Sequence, residues 1–222
     1  MKLGVFVRRE CWTLSWRGKT IALALLVILL FVVGRGAYPF LAANHPEDGE
    51  MMILEGWISP YFLSDAAAEF KRGRYRTVLV LQAIYNSQED TLFKDPSGRI
   101  SDEYSSRMLV KYGVPREAVE AVLYPGVEKD RTYHGALAAR EWLSKNGPWP
   151  KRFNVVTVGP HARRSWLMFA KAFGNTAEAG VVPLNDPMYD PKHWWRTSEG
   201  VREILGEGIA YVYARFFFSW TH

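Results

Sequence analysis

The sequence has almost no cysteine. Of its 222 residues only Cys11 is a cysteine, and it precedes the long apolar run near the N-terminus. The rest of the chain therefore has no disulfide framework, no thiol nucleophile and no cysteine-based metal site. The five histidines are His45, His134, His161, His193 and His222. They are scattered without the spacing of metal ligands, so the sequence predicts no metal site.

The main part of the chain also lacks an excess of charge. The net charge is +5, but residues 1–35 contain six basic residues and one acidic residue, and the remaining 187 contain 22 of each. The basic character thus belongs to the N-terminus, which argues against a nucleic-acid-binding surface. No glycine-rich dinucleotide fingerprint follows the first predicted strand, and the sequence leaves the cofactor unknown.

A long hydrophobic run is present. Residues 21–33 contain no polar side chain, and Trp16 and Tyr38 lie on either side of them. Aromatic residues prefer the two interfaces of a bilayer, and residues 20–41 are long enough to cross it. Basic residues before the run predict a cytoplasmic N-terminus, with the chain beyond it outside the membrane. A cleaved signal peptide and a buried helix are the alternatives.

The pattern after the anchor predicts an α/β domain. We expect a basic cytoplasmic segment over 1–19, a membrane anchor over 20–41, a linker over 42–50 and a folded domain over 51–222. The predicted strands are 51–57, 77–82, 119–124, 153–158 and 178–184, and the predicted helices are 61–73, 101–113, 131–147, one from about 161, and 198–218. Strands alternating with helices predict a doubly wound, mostly parallel, Rossmann-like sheet of about five strands.

The closing helix has two interpretations. Its apolar residues include Ile204, Ile209, Val212, Phe216 and Phe217. They predict a core helix packed on the sheet. Alternatively, the aromatic end of this segment, 214–220, enters a bilayer interface.

A ligand site is expected beyond the carboxyl ends of the strands, where open α/β sheets bind ligands. The first strand ends at Glu55 and Gly56, and the fourth leads to Gly159, His161 and Arg164. Asp130 and Thr132 follow the third strand, and Glu103 opens the following helix after the second strand. Glu55, Glu103 and His161 are the acid/base candidates. Gly56, Asp130, Thr132, Gly159, His161 and Arg164 are the ligand-binding candidates, and the insertion over 85–100 is a possible lid.

Two arginines begin the predicted helix after strand four. Cations are unfavourable at this helix end, which already carries a partial positive charge. A bound phosphate or carboxylate would remove that cost for Arg164 and would suit its forked guanidinium. The alternative is that Arg163 or Arg164 pairs with an acid such as Glu55 or Glu103, and Asp130 and Thr132 could be simple helix caps.

The order of these motifs resembles the SanA/ElyC/YdcF-like envelope proteins. The resemblance covers about residues 50–216. The matching positions are Gly56 in "ILEGW", Glu103 before "YGVP" (Tyr112–Pro115), Thr132, then Thr157, His161 and Arg164, and "WWRTSEG" (Trp194–Gly200). His134 and Gly135 stand where the family has a Glu-Asn pair.

The resemblance implies a bacterial inner-membrane protein whose domain faces the periplasm and acts in envelope barrier or peptidoglycan and lipid-carrier metabolism. Some members are associated with a nucleotide-like ligand. The residues and the resemblance leave three classes open. These are an enzyme acting on a phosphorylated or carboxylated envelope intermediate, a non-catalytic module that binds an anionic lipid carrier, glycan precursor or nucleotide-like ligand, and a structural scaffold.

Overall fold

A computed structural model describes residues 13–84 and 102–218 of the chain; for residues 102 and 103 it describes the backbone alone. The chain divides into two compact units, 1–36 and 37–222. The prediction of a lid over 85–100 and the side chain of Glu103 lie outside the described part.

The N-terminal unit contains most of a single long helix. Helix α1 spans Trp16–Leu41, and its most apolar window of 18 residues has a mean hydropathy of 2.4 with no residue buried. Its 26 residues give a length of about 39 Å, against about 30 Å for the hydrocarbon core of a bilayer. The helix is therefore long and apolar enough to span a membrane. The helix extends beyond the apolar run and includes residues 34–41.

The second unit is built on a parallel sheet of five strands, as predicted. The strands are β1 (Met51–Leu54), β2 (Thr77–Ile84), β3 (Val119–Pro125), β4 (Arg152–Val158) and β5 (Glu178–Leu184). All neighbouring strands run parallel, in the order β3-β2-β1-β4-β5. Strand β1 is fully buried along its length, which explains why its sequence is continuously apolar.

Five α-helices follow α1 in the described part of the chain. They are α2 (Leu63–Arg72), α3 (Asp102–Lys111), α4 (Arg131–Asn146), α5 (Ala162–Phe173) and α6 (Ser198–Val212). Helices α2 and α3 cover one face of the sheet, and α4 and α5 cover the other. The apolar face of α2, formed by Leu63, Ala66, Ala67 and Phe70, is buried against the sheet.

The closing segment differs from the prediction of a core helix. Ile204 is buried, but Ile209 is 73% exposed and Val212 is 46% exposed. The helix then passes into a π-helical turn, Tyr213–Phe217, where Phe216 and Phe217 are 72% and 69% exposed. The prediction that all these residues pack on the sheet is wrong, because α6 buries only the narrow side that carries Ile204.

The segment predicted as a linker is packed against the domain. His45 and Val181 exchange two backbone hydrogen bonds of 2.9 Å, and the His45 ring stacks on Trp166. The buried Asn154 side chain accepts a hydrogen bond from the Glu47 amide and donates one to its carbonyl, at 2.7 and 2.8 Å. These contacts attach the chain just after α1 firmly to β4 and β5.

Candidate functional site

A polar cluster lies where the strand order reverses. Strand β1 has β2 on one side and β4 on the other. The chain adds β2 and β3 on one side of β1 and then returns to add β4 and β5 on the other side. Glu55 directly follows β1, and a 3-10 turn, Gly159–His161, directly follows β4 and leads into α5. This is the position at which doubly wound sheets bind their ligands.

His161 lies between two carboxylates. Its Nδ1 is 2.9 Å from Oε1 of Glu207 on α6, and its Nε2 is 3.8 Å from Oε2 of Glu55. The Trp57 ring lies against the imidazole, with centroids 4.4 Å apart. A carboxylate can only accept a hydrogen bond, so the contact with Glu207 requires a proton on Nδ1. Nη2 of Arg164 also lies 3.0 Å from Nδ1 and 3.3 Å from Nε2. This contact orients the ring and directs Nε2 towards Glu55.

Arg164 holds the same glutamate with a fork. Its Nε donates to Oε2 of Glu207 at 2.9 Å, and its Nη2 donates to Oε1 at 3.0 Å. The remaining branch, Nη1, donates to Oγ1 of Thr132 on α4 at 3.0 Å. Arg164 therefore joins α4, α5 and α6 at the edge of the sheet, and Glu207 is the anion that offsets its charge at the start of the helix.

Glu207 and Arg164 each stabilise the charged form of the other. Burial alone would raise the pKa of the Glu207 carboxyl, but hydrogen bonds from His161 and Arg164 outweigh it and lower the pKa to about 2. Burial would also lower the pKa of Arg164, whereas the bond to Glu207 raises it, and the net shift is upward. Glu207 is thus held as an anion and Arg164 as a cation.

Glu55 has a buried partner. Oγ of Ser165 donates to Oε2 of Glu55 at 2.7 Å, and both residues are buried. Ser165 has no exposed surface, so it serves to hold the carboxylate and is not presented to a substrate. By contrast, the side chains of His161, Glu207 and Arg164 are 12%, 14% and 20% exposed, which leaves their edges open to solvent.

Two glycines shape the turns that carry these residues. A Cβ on Gly56 would lie 1.9 Å from the Leu81 carbonyl oxygen, so only glycine allows the chain after β1 to approach β2 this closely. Gly159 has a φ of +44° and turns the chain from β4 into α5. The structure therefore gives both predicted ligand-binding glycines a local structural role, which leaves ligand binding as a prediction.

Arg163 points elsewhere. Its Nε donates to the Phe40 carbonyl, and its guanidinium lies 4.2 Å from the centre of the Phe40 ring. The alternative in which an arginine pairs with an acid therefore applies to Arg164. The acid is Glu207, which the sequence did not single out.

The structure brings together four of the predicted site residues: Glu55, Thr132, His161 and Arg164. Asp130 stands at the N-cap position of α4 in a left-handed conformation, with φ +52°, and its side chain makes no capping bond. Its carbonyl instead accepts hydrogen bonds from the His134 amide and ring. Capping by the Asp130 side chain is therefore excluded, whereas Thr132 binds Arg164.

Two cluster residues were missed. Glu207 is three residues after the buried Ile204, so a helical projection places this acid near the buried side of α6. Ser165 is four residues after His161 and shares its helix face. An acidic residue within the largely apolar segment 204–212 indicates a partly buried carboxylate. The sequence alone could not show which basic side chain binds it.

An open depression lies at the opposite end of the strands. It is lined by the first residues of four strands, Met51, Thr77, Arg152 and Glu178, together with Trp149 and neighbouring residues. Its rim contains the surface ion pair of Arg152 Nε with Glu178 at 2.6 Å. Its size alone is not evidence of function, because open sheets bind ligands at the other edge.

Comparison with known proteins adds no family assignment. No protein-family model matches this chain, and no curated protein gives a significant match.

Proposed function

We propose that this chain is a membrane-anchored protein of the SanA/ElyC/YdcF-like type that acts in cell-envelope biogenesis or barrier maintenance on an anionic envelope intermediate. The anchor is α1, inserted in the bacterial inner membrane with its N-terminus in the cytoplasm and the α/β domain in the periplasm. The observation that carries the proposal is the His161–Glu207–Arg164 cluster, placed beside Glu55 at the switch point of the sheet.

The cluster contains the parts needed for acid/base chemistry on an anion. Glu207 orients the His161 ring, and Nε2 can exchange a proton with a ligand bound beside Glu55. Arg164 supplies a fixed positive charge that suits a phosphate or carboxylate. Trp57, which is 51% exposed, covers the imidazole and offers an apolar surface to the rest of the ligand.

The ligand must compete with an internal anion. The Nε and Nη2 groups of Arg164 already donate to Glu207. A bound phosphate or carboxylate therefore replaces at least one oxygen of Glu207 at the fork. It follows that neutralising Glu207 without changing its size should tighten anion binding, whereas removing Arg164 should weaken it.

Inorganic phosphate is the probe for this test. The detergent-solubilised full chain is titrated, and the rise of the unfolding midpoint gives the affinity. We expect Arg164→Ala to bind phosphate at least about tenfold more weakly than the wild type, which corresponds to about 1.4 kcal/mol. Glu207→Gln should bind more tightly. Arg163→Ala is the matched control and should bind like the wild type, because Arg163 is directed to Phe40.

An equal rise in the wild type and Arg164→Ala would contradict an arginine-held anion site. Turnover of a chromogenic phosphate ester separates an enzyme from a binding module. In an enzyme, His161→Gln loses turnover and keeps phosphate binding.

One observation favours a second function, that of a structural scaffold. All three nitrogens of the Arg164 guanidinium already have protein partners. In that case the cluster only fastens α6 to the sheet. Phosphate would then leave the midpoint of every variant unchanged, while Arg164→Ala would still lower it.

A further inference from the structure

The closing segment exposes a continuous apolar stripe. Leu205, Ile209, Val212 and Phe216 follow one another at intervals of three or four residues, and Tyr213 lies four residues after Ile209, which places them on one side of the helix. Their exposed fractions range from 46% for Val212 to 73% for Ile209. Phe217 adds a further exposed aromatic ring at the end of this stripe. Soluble surfaces rarely expose such contiguous large apolar side chains, so the stripe indicates a contact surface.

The stripe lies beside the end of the anchor helix. Leu41, in the last turn of α1, packs in one buried cluster with Ile204 and Trp194. In the same turn, the Phe40 ring meets the Tyr211 ring edge to face, with centroids 5.4 Å apart. Phe40 itself is 47% exposed. The chain thus leaves its apolar helix directly against α6.

Basic side chains accompany these aromatic rings. The Arg163 guanidinium lies on the Phe40 ring, and Lys171 donates to the Ala214 carbonyl at 2.8 Å and lies 5.0 Å from the Phe218 ring. Arg215 lies 5.8 Å from the Phe216 ring. Aromatic rings and cations together are the usual composition of a segment at the level of lipid headgroups.

We propose that the stripe on α6 and the following π-helical turn, Leu205 to Phe217, docks on the surface of the bilayer that α1 spans. This inference rests on the proposed anchoring by α1. The occupant is an anionic lipid surface, because the stripe adjoins the end of the anchor and has Arg215, together with Lys171 of α5, beside its aromatic end. The docked face would hold the domain against the membrane, with Glu207 on a helix that touches lipid.

The test measures lipid contact at single labelled positions of the full chain. In a Cys11→Ser background, Phe216→Cys is labelled with a fluorophore and reconstituted in vesicles of phosphatidylethanolamine and phosphatidylglycerol. A nitroxide-bearing lipid then quenches labels near the bilayer. The matched control is Glu120→Cys, an exposed position on edge strand β3. We expect quenching at Phe216→Cys to be at least about threefold stronger than at Glu120→Cys.

A third label, Leu29→Cys in the middle of α1, tests the anchoring separately. Quenching at Leu29→Cys together with background quenching at Phe216→Cys overturns the docking surface and leaves the anchor intact. Quenching at Phe216→Cys without quenching at Leu29→Cys supports docking and overturns the spanning anchor. A Phe216→Cys label that is shielded from water but not quenched by lipid shows a second copy of the chain on the stripe, which also overturns docking on lipid.

Discussion

The adjacent residues Arg163 and Arg164 contact different parts of the molecule. Arg164 turns into the cluster and binds Glu207 and Thr132, while Arg163 turns towards Phe40. A cation at the start of a helix is unfavourable, and on that ground alone removing Arg164 would cost no stability. The contact with Glu207 reverses this expectation, because removing one partner leaves a largely buried carboxylate without its cation.

The lowered pKa of Glu207 makes stability depend on pH. The folded state holds this pKa at about 2, against an ordinary value of 4.5. The folded environment therefore favours the ionised carboxylate over the protonated form by about 3 kcal/mol. Because the folded pKa is the lower one, the stabilisation is fully present above pH 4.5. It is lost as the pH falls towards 2.

We therefore predict that Glu207→Gln is less stable than the wild type at neutral pH, and that the difference shrinks as the pH falls below about 4.5. Thermal unfolding midpoints across this range measure it. Glu120→Gln, at an exposed position, is the control and should stay within about 0.5 kcal/mol of the wild type. A difference at Glu207→Gln that is constant with pH would show that the bonds to His161 and Arg164 do not hold the carboxylate as an anion.

At the scale of elements, the strands could be predicted because both faces of the sheet are covered. Strand β5 has its predicted bounds, and β4 differs by one residue, because buried runs such as Val155–Val158 have few alternatives to a central strand. Helix α6 was harder to predict, because a helix at a membrane surface and a helix in a core have the same apolar periodicity. Only the packing shows that Ile204 is covered and Ile209 is not.

The join between β1 and β2 depends on one glycine. In Gly56→Ala the new Cβ would lie 1.9 Å from the backbone oxygen of Leu81, so the backbone of β2 or of the turn after β1 would have to shift. We predict a loss of about 3 kcal/mol or more, seen as a lower unfolding midpoint or as failure to fold.

Gly206→Ala is the matched control for this substitution. Gly206 lies within α6, and a Cβ there meets nothing within 4 Å. The alanine should raise stability by about 0.5–1 kcal/mol, because glycine loses more conformational freedom in a helix. If the two variants change the midpoint equally, the close approach of Gly56 to β2 is not what constrains that turn.

At the scale of the whole molecule, the site could be predicted only in part. The rule for parallel sheets correctly directed attention to the ends of β1 and β4, which lie next to each other. It could not supply Glu207, because α6 reaches this edge through tertiary packing about 50 residues after β4. The asymmetry of charge about the apolar run, in contrast, follows from the sequence alone and supports a definite membrane orientation.

That orientation gives the last prediction. Lys2, Arg8, Arg9, Arg17 and Lys19 precede the apolar run, and positive residues next to a span remain in the cytoplasm. Cys11, which lies outside the described residues, should therefore be protected from a membrane-impermeant thiol reagent in cells whose inner membrane is intact. The same reagent should label a cysteine placed at Glu120 in the Cys11→Ser background, because the proposed orientation puts the α/β domain on the other side of the bilayer. Lysed cells provide the control that Cys11 can react. Labelling of Cys11 before lysis, with protection at position 120, would reverse the orientation and place the His161–Glu207–Arg164 cluster in the cytoplasm.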